Sequence, residues 1–287
     1  MRSGFVAVAG RPNVGKSTLV NALTGSKVAI VSDKPHTTRH QIRGVYTAGD
    51  AQLVLVDLPG WQKPIDPLTE RMQERVDEAI SSDVDAVMLV VDARERIGTG
   101  DRYVARRVFQ LGVPVVIVLN KVDRLKPGHI ATQMKTAAAL GAFHALHPVS
   151  AKTGDGIGEL RGDLISLLPD GPMYYPADTE TDMPLEARIA ELVREQALRL
   201  TKEEVPHAIT AEVVEIDERR VHVRVYTETE SQKQILIGKG GSMVREIGRG
   251  ARPHVEALVG HPVYLQLQVK ASPKWRRNET MLERLGL

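Results

Sequence analysis

Cysteine is absent from the 287 residues. That excludes disulfides, Cys-ligated zinc, iron–sulfur clusters and thiol catalysis together, and it fits a reducing compartment. Charge of one sign is not in excess either: 38 Lys and Arg stand against 36 Asp and Glu, a formal +2. No global field then demands a nucleic-acid partner, and any basic surface must be local. An apolar run of membrane-spanning length is missing, and Met1-Arg2-Ser3-Gly4 leads straight into a strand pattern without a charged-then-apolar leader. The expectation is a soluble, cytoplasmic chain. Internal repeats are lacking, and low complexity is confined to one short stretch.

What is present begins with Gly10-Arg11-Pro12-Asn13-Val14-Gly15-Lys16-Ser17, preceded by apolar Phe5 to Ala9 and followed by Thr18-Leu19-Val20-Asn21-Ala22-Leu23 with helical spacing. A glycine-rich loop between strand and helix turns successive N–H groups toward an anion, and the new helix adds its positive end. Lys16 would reach the β- and γ-phosphates, and the Ser17 hydroxyl would meet Mg²⁺. A glycine turn capping a helix is the structural alternative.

Further along, Ser26 to His40, with Pro35-His36-Thr37-Thr38-Arg39, has no periodicity and is expected to be a mobile loop. Thr38 is chosen over Thr37 for a second hydroxyl on Mg²⁺, because it abuts Arg39 and the next strand. Gln41 to Tyr46 alternates like an edge strand, and Gln52 to Val56 forms its hairpin partner across Gly49-Asp50. The partner ends in Asp57-Leu58-Pro59-Gly60, where an acid can hold Mg²⁺ through water and a glycine N–H can meet the γ-phosphate. Trp61 follows, so the glutamine that orients water in Ras-like enzymes is missing there. Leu68, Met72, Val76, Ala79 and Ile80 mark a helix face. Strand and helix lengths then alternate to Val149, predicting a doubly wound, mostly parallel α/β sheet with ligands at the carboxyl ends of its strands.

One such end carries Asn120-Lys121-Val122-Asp123. A carboxylate at Asp123 accepts two hydrogen bonds from guanine donors, a pattern adenine cannot match, while Asn120 would join neighbouring loops. Ser150-Ala151-Lys152 ends the next strand and would supply backbone groups near guanine O6. A polar strand-to-helix turn is the plain alternative for either motif.

The Pro- and Gly-rich stretch from Leu168 to Pro176 breaks the alternation. The expected organisation is a nucleotide domain over 1–168, a linker over 169–182 and a smaller α+β domain over 183–287. The last part reads α-β-β-α-α-β, with Gly238-Lys239-Gly240-Gly241 between its second and third helices. After Ile235-Leu236-Ile237 this matches the loop by which KH domains clamp the backbone of single-stranded RNA. Lys239 would meet phosphate, Arg245, Lys270, Lys274 and Arg276 add positive charge nearby, and Trp275 offers a stacking surface. A solvated helix face with a core tryptophan is the competing view.

Together these residues resemble the Era family of bacterial ribosome-assembly GTPases over nearly the whole chain. Gly10 to Ser17, Thr38, Asp57 to Gly60, Asn120 to Asp123 and Ser150 to Lys152 match its GTPase motifs in order, and Ile237 to Gly241 match its KH loop. The resemblance implies a P-loop G domain followed by a type II KH domain, GTP and GDP as ligands, Mg²⁺, and hydrolysis resting on Lys16, Thr38, Asp57 and Gly60. It further implies a monomer that binds the 3′ end of 16S ribosomal RNA during 30S subunit assembly, with peripheral contact at the inner face of the cell membrane. GTPases similar to this one that carry an asparagine at the position of Asn13 and lack the glutamine use a potassium ion beside the phosphates. Two departures stand out: Leu58 replaces the usual Thr, and Pro273 interrupts a usually basic tail. An ATPase or kinase, and an RNA-binding scaffold with a vestigial nucleotide site, are the other classes. Asn120 and Asp123 oppose the first, and intact Lys16, Ser17 and Asp57 the second. A relative with two tandem G domains is excluded by the single phosphate loop.

Overall fold

The computed structural model describes residues 1–34, 36–61, 64–81 and 84–287, without the side chains of Ile80 and Ser81. Pro35 of the expected loop and the Ile80 side chain of the expected helix face lie outside the described parts. Two compact units emerge: Met1–Ala29 with Thr38–Pro64 and Arg71–Asp182, and Met183–Leu287 with the short segments Ile30–Thr37 and Ile65–Glu70.

The first unit runs β1 (Arg2–Ala9), α1 (Lys16–Thr24), β2 (Ile42–Ala48), β3 (Ala51–Asp57), α2 (Pro67–Ser81, whose first turn belongs to the other unit), β4 (Ala86–Asp92), α3 (Thr99–Val108), β5 (Val115–Asn120), α4 (Pro127–Ala138), β6 (Ala145–Val149) and α5 (Ile157–Leu167). Its six strands lie in the order β2-β3-β1-β4-β5-β6, parallel except for the β2–β3 hairpin at the edge. Strands sandwiched by helices are apolar at every position, and successive side chains divide between two cores. Along β4, Val87, Leu89 and Val91 join Val76, Val104 and Val108 of α2 and α3 on one face. Ala86, Met88 and Val90 meet Leu19, Leu23, Leu160 and Leu164 of α1 and α5 on the other. Sequence order changes direction at β1, which opens a crevice at its carboxyl end.

The segment expected as a linker is fastened along this unit. Ser3 donates its N–H to the Pro169 carbonyl, the Val45 N–H donates to the Glu180 carbonyl, and the buried Gln52 amide accepts from the Tyr174 and Tyr175 N–H groups while donating to the Tyr175 carbonyl. Free strand edges attract such pairing because their backbone groups need partners.

The second unit holds α6 (Leu185–Leu200), α7 (Val205–Ala208), β7 (Thr210–Ile216), β8 (Arg220–Thr227), α8 (Glu230–Ile237), α9 (Ser242–Val259), β9 (Tyr264–Ala271) and α10 (Glu279–Arg284). Sheet order is β7-β8-β9, with β7 antiparallel and β9 parallel to β8. Ile189, Val193 and Ala197 of α6, Ile247, Ala251 and Val255 of α9, and Val221, Val223 and Val225 of β8 build one core. Helix α8 starts where Thr229 accepts from the Gln232 N–H at 3.2 Å and Gln232 accepts from the Thr229 N–H in return, satisfying two orphan donors. The short α7 and α10 carried no sequence signal strong enough to read.

Candidate functional site

The carboxyl ends of β1, β3, β5 and β6 gather the expected nucleotide motifs. Leaving β1, the chain turns through Gly10 to Gly15 and enters α1 at Lys16, so the positive end of α1 opens onto the loop. Arg11 is anchored outside: its Nε donates to Asp101 at 2.7 Å and its Nη2 to Glu95 at 2.8 Å. Pro12 is half-buried, Asn13 exposed, Val14 buried and Thr18 half-buried. Lys16 is buried and donates to the Gly10 and Arg11 carbonyls at 3.2 and 3.0 Å.

Asp57, at the end of β3, is fully buried, and neither of its carboxylate oxygens has a hydrogen-bond partner. Burial pushes its pKa up to about 6 against the opposing charge of Lys16. Burial likewise lowers Lys16 to about 8, with Asp57 opposing. Orphaned buried carboxylate oxygens are costly unless a cation answers them. Nearby, the hydroxyls of Ser17 and Thr38 stand 2.8 Å apart, whereas Thr37 turns to the Lys34 carbonyl at 2.6 Å. Two hydroxyls and an unsatisfied acid form a hard-oxygen set that suits Mg²⁺. After Asp57, Leu58 and Pro59 are buried, Gly60 lies against Pro12, and the Trp61 N–H donates to the Gly10 carbonyl at 3.3 Å. The Trp61 ring points into the core with the Arg107 guanidinium 5.0 Å from its centre.

The residues expected to read the base converge from β5 and β6. Asn120, only 1% exposed, donates to the Val14 carbonyl at 3.0 Å and accepts from the Lys121 and Ala151 N–H groups at 2.8 and 3.1 Å. Gly15 is needed beneath it, since a Cβ there would sit 2.4 Å from the Asn120 amide nitrogen at a φ of +97°. Lys121, in the left-handed region, sends its ammonium to the Asn13 carbonyl and to Asp92. Val122 is half-buried at the start of a single 3₁₀ turn. The buried Ser150 hydroxyl donates to Asp123 Oδ1 at 2.8 Å, which orients that carboxylate, and Lys152 is exposed beside it.

Sequence reading missed Asp92, Glu95 and Asp101. They belong to no motif, and only the adjacency of β4 to β1 and β5 brings them to the phosphate loop.

In the second unit the Gly238 to Gly241 loop joins α8 to α9. Gly238, Gly240 and Gly241 adopt φ of +71°, +56° and +77°, with Lys239 and Gly240 exposed and Ile237 half-buried. Arg245, Lys270 and Lys274 are exposed as well. Trp275 corrects the expectation of a stacking surface. Its ring is wholly buried and its Nε1 donates to the Ala208 carbonyl at 2.8 Å, so no face is open to a base. The residue serves as a core tryptophan with its polar handle satisfied. Arg276 is only half-exposed and donates to Glu228 at 2.7 Å, so its charge is largely answered within the fold.

Two family models match separate parts of the chain. A family model described as 50S ribosome-binding GTPase matches residues 5–121, and a KH domain model matches residues 201–276. The GTPase Era of Lactobacillus helveticus is 43% identical over 99% of this chain and 96% of its own length, and that of Lactobacillus delbrueckii subsp. bulgaricus is equally so. The chain belongs to the Era family of GTPases. Among solved structures, a variant of Aquifex aeolicus Era bound to GDP and AlF4⁻ superposes with a TM-score of 0.95 at 34% identity, covering 100% of this chain and 99% of that one. An Era in complex with MgGDPNP and nucleotides 1506–1542 of 16S ribosomal RNA gives 0.93 at 35% identity, with the same coverage. The expected G domain and C-terminal KH domain are therefore both present. No helix among the described residues is long and apolar enough to cross a membrane.

Proposed function

We propose that this Era family GTPase binds GTP and GDP with Mg²⁺ at the carboxyl ends of β1, β3, β5 and β6, and that its KH loop binds the 3′ end of 16S ribosomal RNA as the 30S subunit is assembled. One observation carries the nucleotide half: the Asn120 amide spans from the phosphate loop at Val14 to the base-side Ala151, while Ser150 aims the Asp123 carboxylate. The RNA half is supported by the match, along the full chain, to an Era solved with MgGDPNP and a 16S fragment.

In this reading the N–H groups from Asn13 to Thr18 cradle the phosphates and Lys16 moves from the Gly10 and Arg11 carbonyls to meet them. Phosphate charge restores the full positive charge of a lysine that burial has weakened. Ser17, Thr38 and Asp57 hold Mg²⁺, which neutralises charge on the β- and γ-oxygens when bound. The Gly60 N–H faces the γ-phosphate. Because Trp61 is turned into the core, no side chain at that position orients the attacking water, and intrinsic turnover is slow. Asn13, exposed at the front of the loop, offers a side-chain oxygen for K⁺ beside the phosphates. Guanine is recognised by Asp123, with Ser150, Ala151 and Lys152 closing over O6. Gly238 to Gly241 press their backbone against RNA phosphates, with Lys239, Arg245, Lys270 and Lys274 as counter-charges. The family likeness also supports a monomer in the cytoplasm with peripheral contact at the inner face of the membrane.

Steady-state hydrolysis of GTP, ATP and XTP, in the wild type and in Asp123→Asn, tests the base assignment. The expected result is GTP preference in the wild type and a shift toward XTP in the variant, because the amide exchanges one acceptor for a donor. Equal use of GTP and ATP by the wild type overturns it.

A further inference from the structure

Strand β4 ends at Asp92, directly opposite Asn120 of β5 in the parallel register. The Asp92 side chain is 3% exposed, yet it lies between two cations. Lys121 Nζ donates to Oδ2 at 2.7 Å, Arg94 Nη2 to the same oxygen at 2.7 Å, and Arg94 Nε and backbone N–H to Oδ1, each at 3.0 Å. The same Lys121 ammonium donates to the Asn13 carbonyl in the phosphate loop. Its stem crosses the loop near Gly15, where a Cβ would come 3.5 Å from Lys121 Cε.

We propose that Asp92 is a positioning residue for nucleotide binding: by holding the Lys121 ammonium from behind, it keeps that side chain spanning the phosphate loop beside the guanine pocket. The inference rests on the guanine-nucleotide reading above and extends it to a residue outside the recognised motifs. Lysine is a flexible four-carbon stem with a strongly hydrated head, so a fixed position needs a fixed counter-charge. The Asn13 carbonyl alone is a neutral acceptor. Arg94 closes the remaining lone pairs and keeps the buried carboxylate fully hydrogen-bonded, which a buried charge requires. With Asn in place of Asp92, Lys121 and Arg94 face each other across an uncharged amide and repel. The ammonium then leaves the loop, and the nucleotide loses a wall that does not depend on which guanine donors Asp123 reads.

The test is a double-mutant cycle on the full chain, read by the dissociation rate of fluorescent N-methylanthraniloyl-GDP in Mg²⁺. Asp92→Asn is expected to speed dissociation about tenfold in the wild-type background, the usual signature of losing one partner of a hydrogen-bonded charge pair. On a Lys121→Ala background it should add less than about twofold, since the residue it positions is gone. The ratio of GDP to IDP affinity should stay unchanged, because Asp123 and Ser150 are untouched. Asp92→Ser, which removes the charge without placing an amide between the cations, should reproduce the acceleration and guards against a single misfolded variant. Equal acceleration in both backgrounds, or none in the wild type, overturns the proposal. If the wild type fails to bind guanine nucleotide at all, the underlying site reading falls instead, so the two failures are distinct.

Discussion

The side-chain amide of Asn120 donates to the Val14 carbonyl at 3.0 Å, which makes the end of β5 and the phosphate loop one hydrogen-bonded piece. In the proposed nucleotide site, phosphate and base contacts would therefore be coupled through one rigid piece. The same contact leaves no room at Gly15. Gly15→Ala would place a methyl 2.4 Å from the Asn120 amide nitrogen at a left-handed φ. The strained backbone alone costs about 1 kcal/mol or more, and displacing Asn120 also frees Val14. Titration with labelled GDP should show affinity reduced at least about tenfold, an expectation that rests on 1.4 kcal/mol per decade. Affinity within twofold of wild type would contradict it.

For the KH loop, Gly240→Asp is a clean probe because a Cβ at Gly240 meets no atom within 4 Å, and Asp tolerates the left-handed φ of +56° better than most residues. The fold should survive while a negative side chain opposes RNA phosphate. Binding of a single-stranded RNA carrying the 16S 3′-end sequence should weaken about tenfold or more, roughly the loss expected from placing like charge against a phosphate contact. GDP affinity should stay as in wild type. An unchanged RNA titration for the folded variant would remove the loop from the RNA site.

Potassium dependence is the expected outcome of the K⁺ site proposed at Asn13. GTP turnover measured at constant ionic strength should fall when K⁺ is replaced by Na⁺, whose smaller radius suits the same oxygens poorly. Asn13→Ala should be slow in both salts. Identical wild-type rates in K⁺ and Na⁺ would eliminate the cation from hydrolysis.

Acid stability should carry the mark of Asp92. Burial alone would raise its pKa, but hydrogen bonds from Arg94 and Lys121 more than reverse this and hold it at about 2. A folded-state pKa below the unfolded value contributes stability that is complete above about pH 4 and is lost as pH falls toward 2. Chemical denaturation at stepped pH should show the wild type losing roughly 2 kcal/mol more than Asp92→Asn across that window. Parallel acid limbs for the two proteins would show that the pair adds nothing to folding.

Much of this was legible in the chain because the deciding interactions are local. Gly10 to Ser17 forms its cradle from consecutive backbone N–H groups and the helix it opens, so eight residues contain nearly all the geometry they need. Asn120 to Asp123 could be read because its residue types fit one base. Strictly alternating strand and helix lengths predict a doubly wound sheet, since strands covered on both faces must be apolar throughout. The KH order of elements was readable for a different reason, because its strands alternate apolar and polar residues between helical lengths, and β9 lies parallel to β8. Tertiary structure alone decided the rest. Asp92 matters only because β4 neighbours β5 in a register that sets it opposite Asn120, and Asp101 because α3 brings it to Arg11. The choice of Thr38 over Thr37, by contrast, was already legible from its place beside Arg39 and the strand, and the Thr38 hydroxyl does meet Ser17 while Thr37 turns to Lys34. Trp275 sits among basic residues in sequence yet is buried in space, where the Ala208 carbonyl satisfies its indole N–H. Whether a side chain faces water or core, and which distant charge answers it, depends on contacts between residues far apart in the chain, and those are set only when the strands take their places in the sheet.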